Sequence, residues 1–276
     1  MCLIGFAIRP TPAIEWAIAA NRDEAYGRPT QALQGWRAPN GVELVGGRDL
    51  KDGGVWMAEN PASGRLAFLT NVRHGRPETG RKSRGGLALA WLSAGDISLQ
   101  DWQRQHDPLD YAGCNVVLAD PGHDQWWWLT NRDAQGGALA DWHCEALAAG
   151  TYALSNARLN TPWPKAVSLH QALDAALQAC AGTGDALVTG LRDALWPALG
   201  DRSLPPESQW PQTQVPKEAE RALAPAFVHW PEHDYGTRTS TVIVKQPGES
   251  QARWCEQSFD RHATWVQTAE WPPAAR

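Results

Sequence analysis

The first 75 residues constrain the fold most. CLIGFAIR, EWAIAANRD, VELVGGRD, VWMAEN and RLAFLTNV are short runs rich in apolar, β-branched and aromatic residues, separated by the turn clusters RPTP, PNG, LKDGG and NPASG. Short apolar runs bounded by Gly, Pro, Asn and Asp read as strands rather than helices. VWMAE-NPASG-RLAFLTNV reads as a β-hairpin, two apolar runs joined by a Gly-containing loop. This end of the chain is therefore committed to sheet.

The pattern then changes. A Gly/Arg-rich loop, RHGRPETGRKSRGG, leads into LALAWLSA and a segment towards DWQRQ that read as helical. YAGCNVVLAD and HDQWWWLTN read as strands, and GTYALSNARL ends another that turns at NTPWP. From Pro164 to about Leu199 the apolar residues of KAVSLHQALDAALQACAG and GDALVTGLRDALWPALG recur at three and four, the spacing of a helix face. Residues 201–233 are rich in Pro and polar residues and read as a long irregular connection. TRTSTVIVK and ARWCEQSFD are strands again, followed by a Pro-rich tail. Strands, helices and strands in this order predict an α+β or layered α/β fold. No linker-like shift in composition divides the chain, so residues 1–276 are expected to form a single domain. NRD recurs at Asn21 and Asn131, but the flanks differ and no repeat is inferred.

Composition excludes several classes. A net charge of −5, spread along 276 residues, offers no basic surface for nucleic acid. MCLIGFAIRP lacks the basic start of a secretory signal, and no run approaches the roughly 18–20 apolar residues that cross a bilayer. The expectation is a soluble cytoplasmic protein with no transmembrane segment. Cys2, Cys114, Cys144, Cys180 and Cys255 form no CxxC pair and no zinc-spaced cluster, so no metal site is expected. The last four read as reduced, mostly buried thiols. Trp outnumbers Phe and Tyr, at 16 against 4 and 4, and reads as core filler in place of Phe.

Cys2 stands apart by position. It is either a small buried residue or, once Met1 is removed, the first residue of the mature chain, with thiol and free α-amine on one residue. Polar clusters close the apolar runs downstream: Asn21, Arg22, Asp23 and Glu24; Gly46, Gly47, Arg48 and Asp49; Asn71; Asn156; and Tyr235, Arg238 and Thr239. Singly these are ordinary, since Arg-Asp is usually a surface pair, Asn a turn residue and Gly-Gly a bulge. With a nucleophile at position 2 they supply the base, oxyanion donors and charged pair that amide cleavage needs.

MC at the start, AANRDEAYGRP, GGRDLKDGGVWMA, LTN, YALSNARLNTPWPK and YGTRTSTVIV together resemble the NRDE family, the transport-and-Golgi-organisation proteins. That family is similar in fold to the N-terminal-nucleophile hydrolases, nearest the choloylglycine-hydrolase branch. The resemblance implies a four-layer αββα sandwich of two mostly antiparallel sheets. It also implies catalytic roles for Cys2, Arg22, Asp23, Asn71, Asn156 and Arg238, with Glu24 as the alternative to Asp23. Glu24, Arg48, Asp49, Trp56, Tyr235 and Thr239 are candidates for contact with substrate.

The expected chemistry is hydrolysis or acyl transfer at an amide or thioester through an acyl-Cys2 intermediate, with no cofactor required. The α-amine (pKa about 7.7–8.0) or a bridging water takes the thiol proton (pKa about 8.5), Arg22 or Arg238 favours thiolate, and Asp23 holds the ammonium. Asn71 and Asn156 donate to the oxyanion. The resemblance also implies a competing, non-catalytic reading: haem trafficking, or acyl-CoA or lipid handling, in the same crevice. Haem would then be a bound ligand, with Arg73, Arg76, Arg81, Lys82 and Arg84 as cations for its propionates, unless these form only a solvated loop. A third reading is an interaction protein with no small ligand.

Overall fold

The computed structural model describes residues 2–75, 78–180 and 182–273. In chain order the strands are β1 (Cys2–Thr11), β2 (Ile14–Ala25), β3 (Thr30–Arg37), β4 (Glu43–Asp49), β5 (Met57–Glu59), β6 (Leu66–Asn71), β7 (Cys114–Asp120), β8 (Gln125–Arg132), β9 (Ala138–Ala146), β10 (Gly150–Leu154), β11 (His229–Trp230), β12 (Tyr235–Lys245), β13 (Arg253–Phe259) and β14 (Trp265–Trp271). The helices are α1 (Gly85–Ser93), α2 (Leu99–Gln105), α3 (Pro164–Ala179), α4 (Gly184–Leu199) and α5 (Lys217–Ala222). The chain divides into two compact units, one of Met1–Gly27, Ala149–Ser155 and Leu159–Arg276, the other of Arg28–Ala148 and Asn156–Arg158.

The first unit is built on an antiparallel sheet in the order β10-β1-β2-β12-β13-β14, with β11 on β12. Side chains alternate across it. Leu3, Ala7, Ala17, Ala19, Val242 and Val244 face α3 and α4 and pack on Leu169, Leu173, Leu187, Leu191 and Leu195. Gly5 lies on this face because a Cβ there would come within 3.1 Å of Leu169 Cγ. Cys2, Ile4, Phe6 and Ile8 point to the opposite face, and every residue from Cys2 to Ile8 is buried. That is why CLIGFAI is continuously apolar rather than alternating.

The second unit is a meander in which β3 to β9 pair in sequential order, all antiparallel. Leu87, Ala88, Trp91 and Leu92 of α1 close its core against Val55, Ala67, Leu69, Val116 and Leu118. The β5–β6 hairpin forms as expected, with Glu59 opposite Leu66. The glycines of GGRDLKDGGVW are close-packing positions. Gly46 has φ +145° and would place a Cβ 2.5 Å from Met57 O; Gly47 would place one 2.1 Å from the Trp56 ring; Gly54 would place one 2.6 Å from the Gly85 backbone.

Both sheets are antiparallel and each carries helices, which is the α+β class expected from the sequence. Among the longer strands, β3, β9 and β14 are not legible in it, the last lying where the sequence reads as a Pro-rich tail. All three are sheet edges. Their burial is partial, so their apolar signal is weak. The segment 201–233 is not wholly irregular, since it holds α5, β11 and single 3-10 turns. Trp16, Trp91, Trp102, Trp128 and Trp254 are fully buried core residues, as expected of tryptophan used as filler. No helix among the described residues is long and apolar enough to cross a membrane.

Candidate functional site

In the first unit three adjacent strands bring the predicted residues together. Cys2 on β1 lies opposite Arg22 on β2, and Arg22 lies opposite Thr239 on β12. Directly opposed residues share a face, so thiol, guanidinium and hydroxyl form one cross-strand row on the face away from α3 and α4. Thr239 is 4% exposed, and its Oγ1 has no hydrogen-bond partner among the described residues. Glu24, two residues after Arg22, shares that face, with Oε2 3.8 Å from Arg22 Nη2. Arg238 is the extra residue of a register shift between Thr237 and Thr239. Bulges re-aim side chains, and Arg238 Nη1 donates to the Ala25 and Tyr26 carbonyls at 3.0 Å each.

Asn21 and Asp23 point to the helical side. Asn21 Nδ2 donates to Leu199 O (2.7 Å) and Ala226 O (2.9 Å), and its Oδ1 accepts from Ser240 Oγ at 2.6 Å. Asp23 Oδ1 accepts from Thr237 Oγ1 at 2.7 Å, and its carbonyl accepts from Tyr235 Oη at 2.8 Å. Ser155 Oγ donates to Cys2 O at 3.3 Å. Tyr26 Oη lies where a Cβ on Gly236 would sit, 2.1 Å away, which explains the glycine of the tyrosine-glycine element.

Burial raises the Cys2 thiol above its ordinary value; Asp23 and Glu24 push the same way, and Arg22 opposes them. Desolvation therefore acts against the thiolate that nearby arginines are expected to favour, and Arg22 does not offset it. Burial also raises Asp23, against Lys165, the Thr237 hydrogen bond and Arg22. Burial and the Asp23 charge hold the Tyr235 phenol well above its usual value. Burial and then Arg22 bring Arg238 below its ordinary value.

The remaining candidates lie in the second unit. Asn71 ends β6, and its carbonyl accepts from Asn156 Nδ2 at 3.0 Å, while Asn156 O accepts from Arg73 N at 2.7 Å. Asp49 is a turn anchor: it accepts from Arg28 Nε (2.9 Å) and from Lys51 N (2.9 Å). Although burial acts to raise it, these bonds hold its carboxyl below the usual range. The Arg48 guanidinium stacks over Trp36, 4.7 Å from the ring centroid. Trp56 is 9% exposed and packs on Gly47. In the cationic loop Arg81 and Lys82 both pair with Asp110, at 3.0 and 2.7 Å, and Arg84 donates to Gly113 O at 3.3 Å. Arg76 and Met1 lie outside the described residues.

Sequence reasoning missed Thr237 and Lys165, and named Asn21 only as part of a polar cluster, with no role of its own. The recurrence of NRD held a usable signal. Asn131, like Asn21, is a buried staple: its Oδ1 accepts from Cys114 N (2.8 Å) and its Nδ2 donates to Pro108 O and Tyr111 O (3.0 Å each). Lys165, in the first turn of α3, is 5% exposed and donates to Leu223 O at 2.9 Å.

Comparison with known proteins agrees with the blocks quoted above. The family model described as Transport and Golgi organisation 2 matches residues 1–261. The Bos taurus Transport and Golgi organization protein 2 homolog is 33% identical over 260 residues, covering 88% of each chain. The Homo sapiens homolog is 31% identical over 264 residues with the same coverage, and the Drosophila melanogaster protein 25% identical over 290 residues, covering 97% of this chain and 96% of its own. Among solved structures the chain is similar to the Caenorhabditis elegans N-acylethanolamine-hydrolyzing acid amidase ortholog, with a TM-score of 0.49, 11% identity and coverage of 88% of this chain and 92% of that one. The chain belongs to the Transport and Golgi organisation 2 family, the NRDE family.

Proposed function

We propose that the chain carries an N-terminal-nucleophile site, in which Cys2, freed by removal of Met1, attacks an amide or thioester carbonyl and becomes transiently acylated. The observation that carries this reading is the row Cys2–Arg22–Thr239, a buried thiol, a guanidinium and an unbonded buried hydroxyl on adjacent strands. Because burial raises the thiol, attack calls for a base at the moment of bond formation. The α-amine carried by the same residue as the thiol serves as that base. It takes the thiol proton as sulfur bonds to the carbonyl carbon, and returns it to the leaving amine or thiol as the tetrahedral intermediate collapses. Water then cleaves the acyl-Cys2 thioester. Arg22 stabilises negative charge as it forms on sulfur, and Asp23 holds the ammonium.

A carrier of haem or acyl-CoA is the competing reading. The cations it would use at residues 81–84 are engaged by Asp110 and the Gly113 carbonyl, and the fully buried tryptophans belong to the core. The enzyme reading is therefore preferred. Intact mass of the purified protein and labelling by an electrophilic thioester probe test it. The expected result is loss of Met1 and acylation at Cys2 above Cys114, Cys144, Cys180 and Cys255, abolished in Cys2→Ala. Retained Met1 in a reactive preparation, or labelling no greater than at the other cysteines, refutes it. A haem-induced Soret shift lost in Cys2→Ala would instead favour the carrier.

A further inference from the structure

Asp23 sits 1% exposed at the end of β2. A carboxylate this deep is held as the anion only if charges and hydrogen bonds compensate its desolvation. One bond is evident: Thr237 Oγ1 donates to Asp23 Oδ1 at 2.7 Å, while the same hydroxyl accepts from Val228 N at 2.9 Å and is thereby oriented. Strand alternation places Asp23 on the helical side with Asn21, whose amide reaches Leu199 O and Ala226 O. On that side the segment 223–228 bonds three residues: Val228 N donates to Thr237 Oγ1, Ala226 O accepts from Asn21, and Leu223 O accepts from Lys165. Lys165 follows Pro164 in the first turn of α3, the helix whose Leu169 and Leu173 pack on β1, and it is 5% exposed. Its Nζ donates to Leu223 O at 2.9 Å, which fixes where the ammonium lies.

We propose, on the reading that Asp23 holds the Cys2 α-amine, that Lys165 is a positioning residue of the site. Its buried ammonium, on the helical side of the sheet, keeps Asp23 a carboxylate and so sets the charge presented to the nucleophile. The electrostatics agree with this geometry: burial raises Asp23, and the largest influence opposing it is Lys165, ahead of the Thr237 bond and of Arg22 in the next position. The other charged and titratable groups around Asp23 are Arg22 and Glu24 on β2, Cys2 on β1, Tyr26 after β2, and Tyr235 and Arg238 on β12. Glu220, the buried acid of α5 near Leu223, accepts from Thr213 N at 2.7 Å and Thr213 Oγ1 at 2.6 Å. Thus NTPWPK supplies a second layer of the site, on the far side of the sheet from the thiol.

The test is the titration of Asp23 in the full-length protein, followed by carbon-13 NMR of its carboxyl and assigned with Asp23→Asn. Lys165→Met, which keeps length and removes charge, is expected to raise the midpoint by one pH unit or more, a tenfold weakening of the ionised state. Lys165→Arg is expected to restore most of it. A folded Lys165→Met whose Asp23 midpoint is unchanged overturns the proposal. Should Lys165→Met fail to fold, the wild type decides: the nitrogen-15 shift of Lys165 Nζ must move through the Asp23 midpoint, and an indifferent Nζ overturns it equally. If Cys2 accepts an acyl probe, the acid limb of that rate should shift with the Asp23 midpoint in Lys165→Met. If Cys2 proves inert, the hydrolase reading fails while the titration still decides the Lys165–Asp23 link.

Discussion

Gly47→Ala tests whether the second glycine of GGRD exists to admit Trp56. An ideal Cβ at 47 lies 2.1 Å from Trp56 Cη2 and Cζ2 and 3.2 Å from Gln31 O. Carbon atoms in contact prefer about 3.5–4.0 Å, so the indole would have to withdraw by about 1.5 Å. Trp56 is 9% exposed and held in a packed sheet, so there is little room to withdraw. Backbone strain adds nothing, because the left-handed φ belongs to Gly46 and not to Gly47. The cost is overpacking alone, about 1–3 kcal/mol, towards the upper end because the obstacle is a rigid ring. Trp56→Leu alone should also destabilise, by leaving a cavity. Combined with Gly47→Ala it should recover about 1–3 kcal/mol relative to the sum, because the added methyl then occupies vacated space. Urea unfolding followed by far-UV circular dichroism, with an unchanged m-value, measures all three. Gly46→Ala is the control: its obstacle is Met57 O at 2.5 Å, a backbone atom, and Trp56→Leu should not rescue it. A Gly47→Ala protein within 0.5 kcal/mol of the parent, or strict additivity with Trp56→Leu, would refute the argument.

Two further predictions concern groups outside the Cys2–Arg22–Thr239 row. Asn21→Leu strands the Leu199 and Ala226 carbonyls and the Ser240 hydroxyl in a buried place; a loss of about 2–4 kcal/mol is expected from unsatisfied polar groups, and less than about 1 kcal/mol by denaturant unfolding would contradict the staple. His106 is half-buried against Trp102, with ring centroids 4.6 Å apart and Nδ1 2.7 Å from Trp102 O, and desolvation lowers its pKa. Its contribution is therefore complete above the unfolded value of about 6.5 and falls as pH drops from there to the lowered folded value, where it levels off. His106→Gln should flatten the stability–pH curve over that window, and an unchanged slope would show that the imidazole is not the group responsible.

The strands that form the middle of each sheet were legible because they are buried and announce themselves as apolar runs between turn residues. The edge strands β3, β9 and β14 did not, for a physical reason. Trp265 and Val266 of β14 are 59% and 58% exposed, so selection for burial leaves no clear period in WVQTAEW, and β3 and β9 share the condition. The glycines of GGRD were visible but not interpretable, since their meaning lies in what a Cβ would strike, and Met57 and Trp56 arrive there only through tertiary packing. Asn71 and Asn156 were singled out as donors, and the bond between them, Asn156 Nδ2 to Asn71 O, is a pairing across 85 positions that spacing could not reveal.

The hardest feature to read was the assignment of faces within NRDE. Alternation sends Arg22 and Glu24 to the face of Cys2, and Asn21 and Asp23 to the helices, but only if Cys2 lies opposite Arg22. The turn at RPTP by itself implies otherwise. Thr11 pairs with Ile14, and an uninterrupted antiparallel ladder from that pair would bring Cys2 opposite Asp23. The register shift between Ile8 and Thr11 inserts one extra residue on β1, at Arg9, whose φ is +46° despite its side chain. A shift of one residue exchanges every side chain between faces. The bulge therefore places the guanidinium of Arg22, rather than the carboxylate of Asp23, beside the thiol. The second bulge, at Arg238, then brings Thr239 into the same row while leaving Thr237 with Asp23. Two irregularities of one residue each, one on either side of β2, distribute a single tetrapeptide between the face of Cys2 and the helical side. Composition and spacing carry no record of either, because a bulge is written in backbone torsions rather than in residue type.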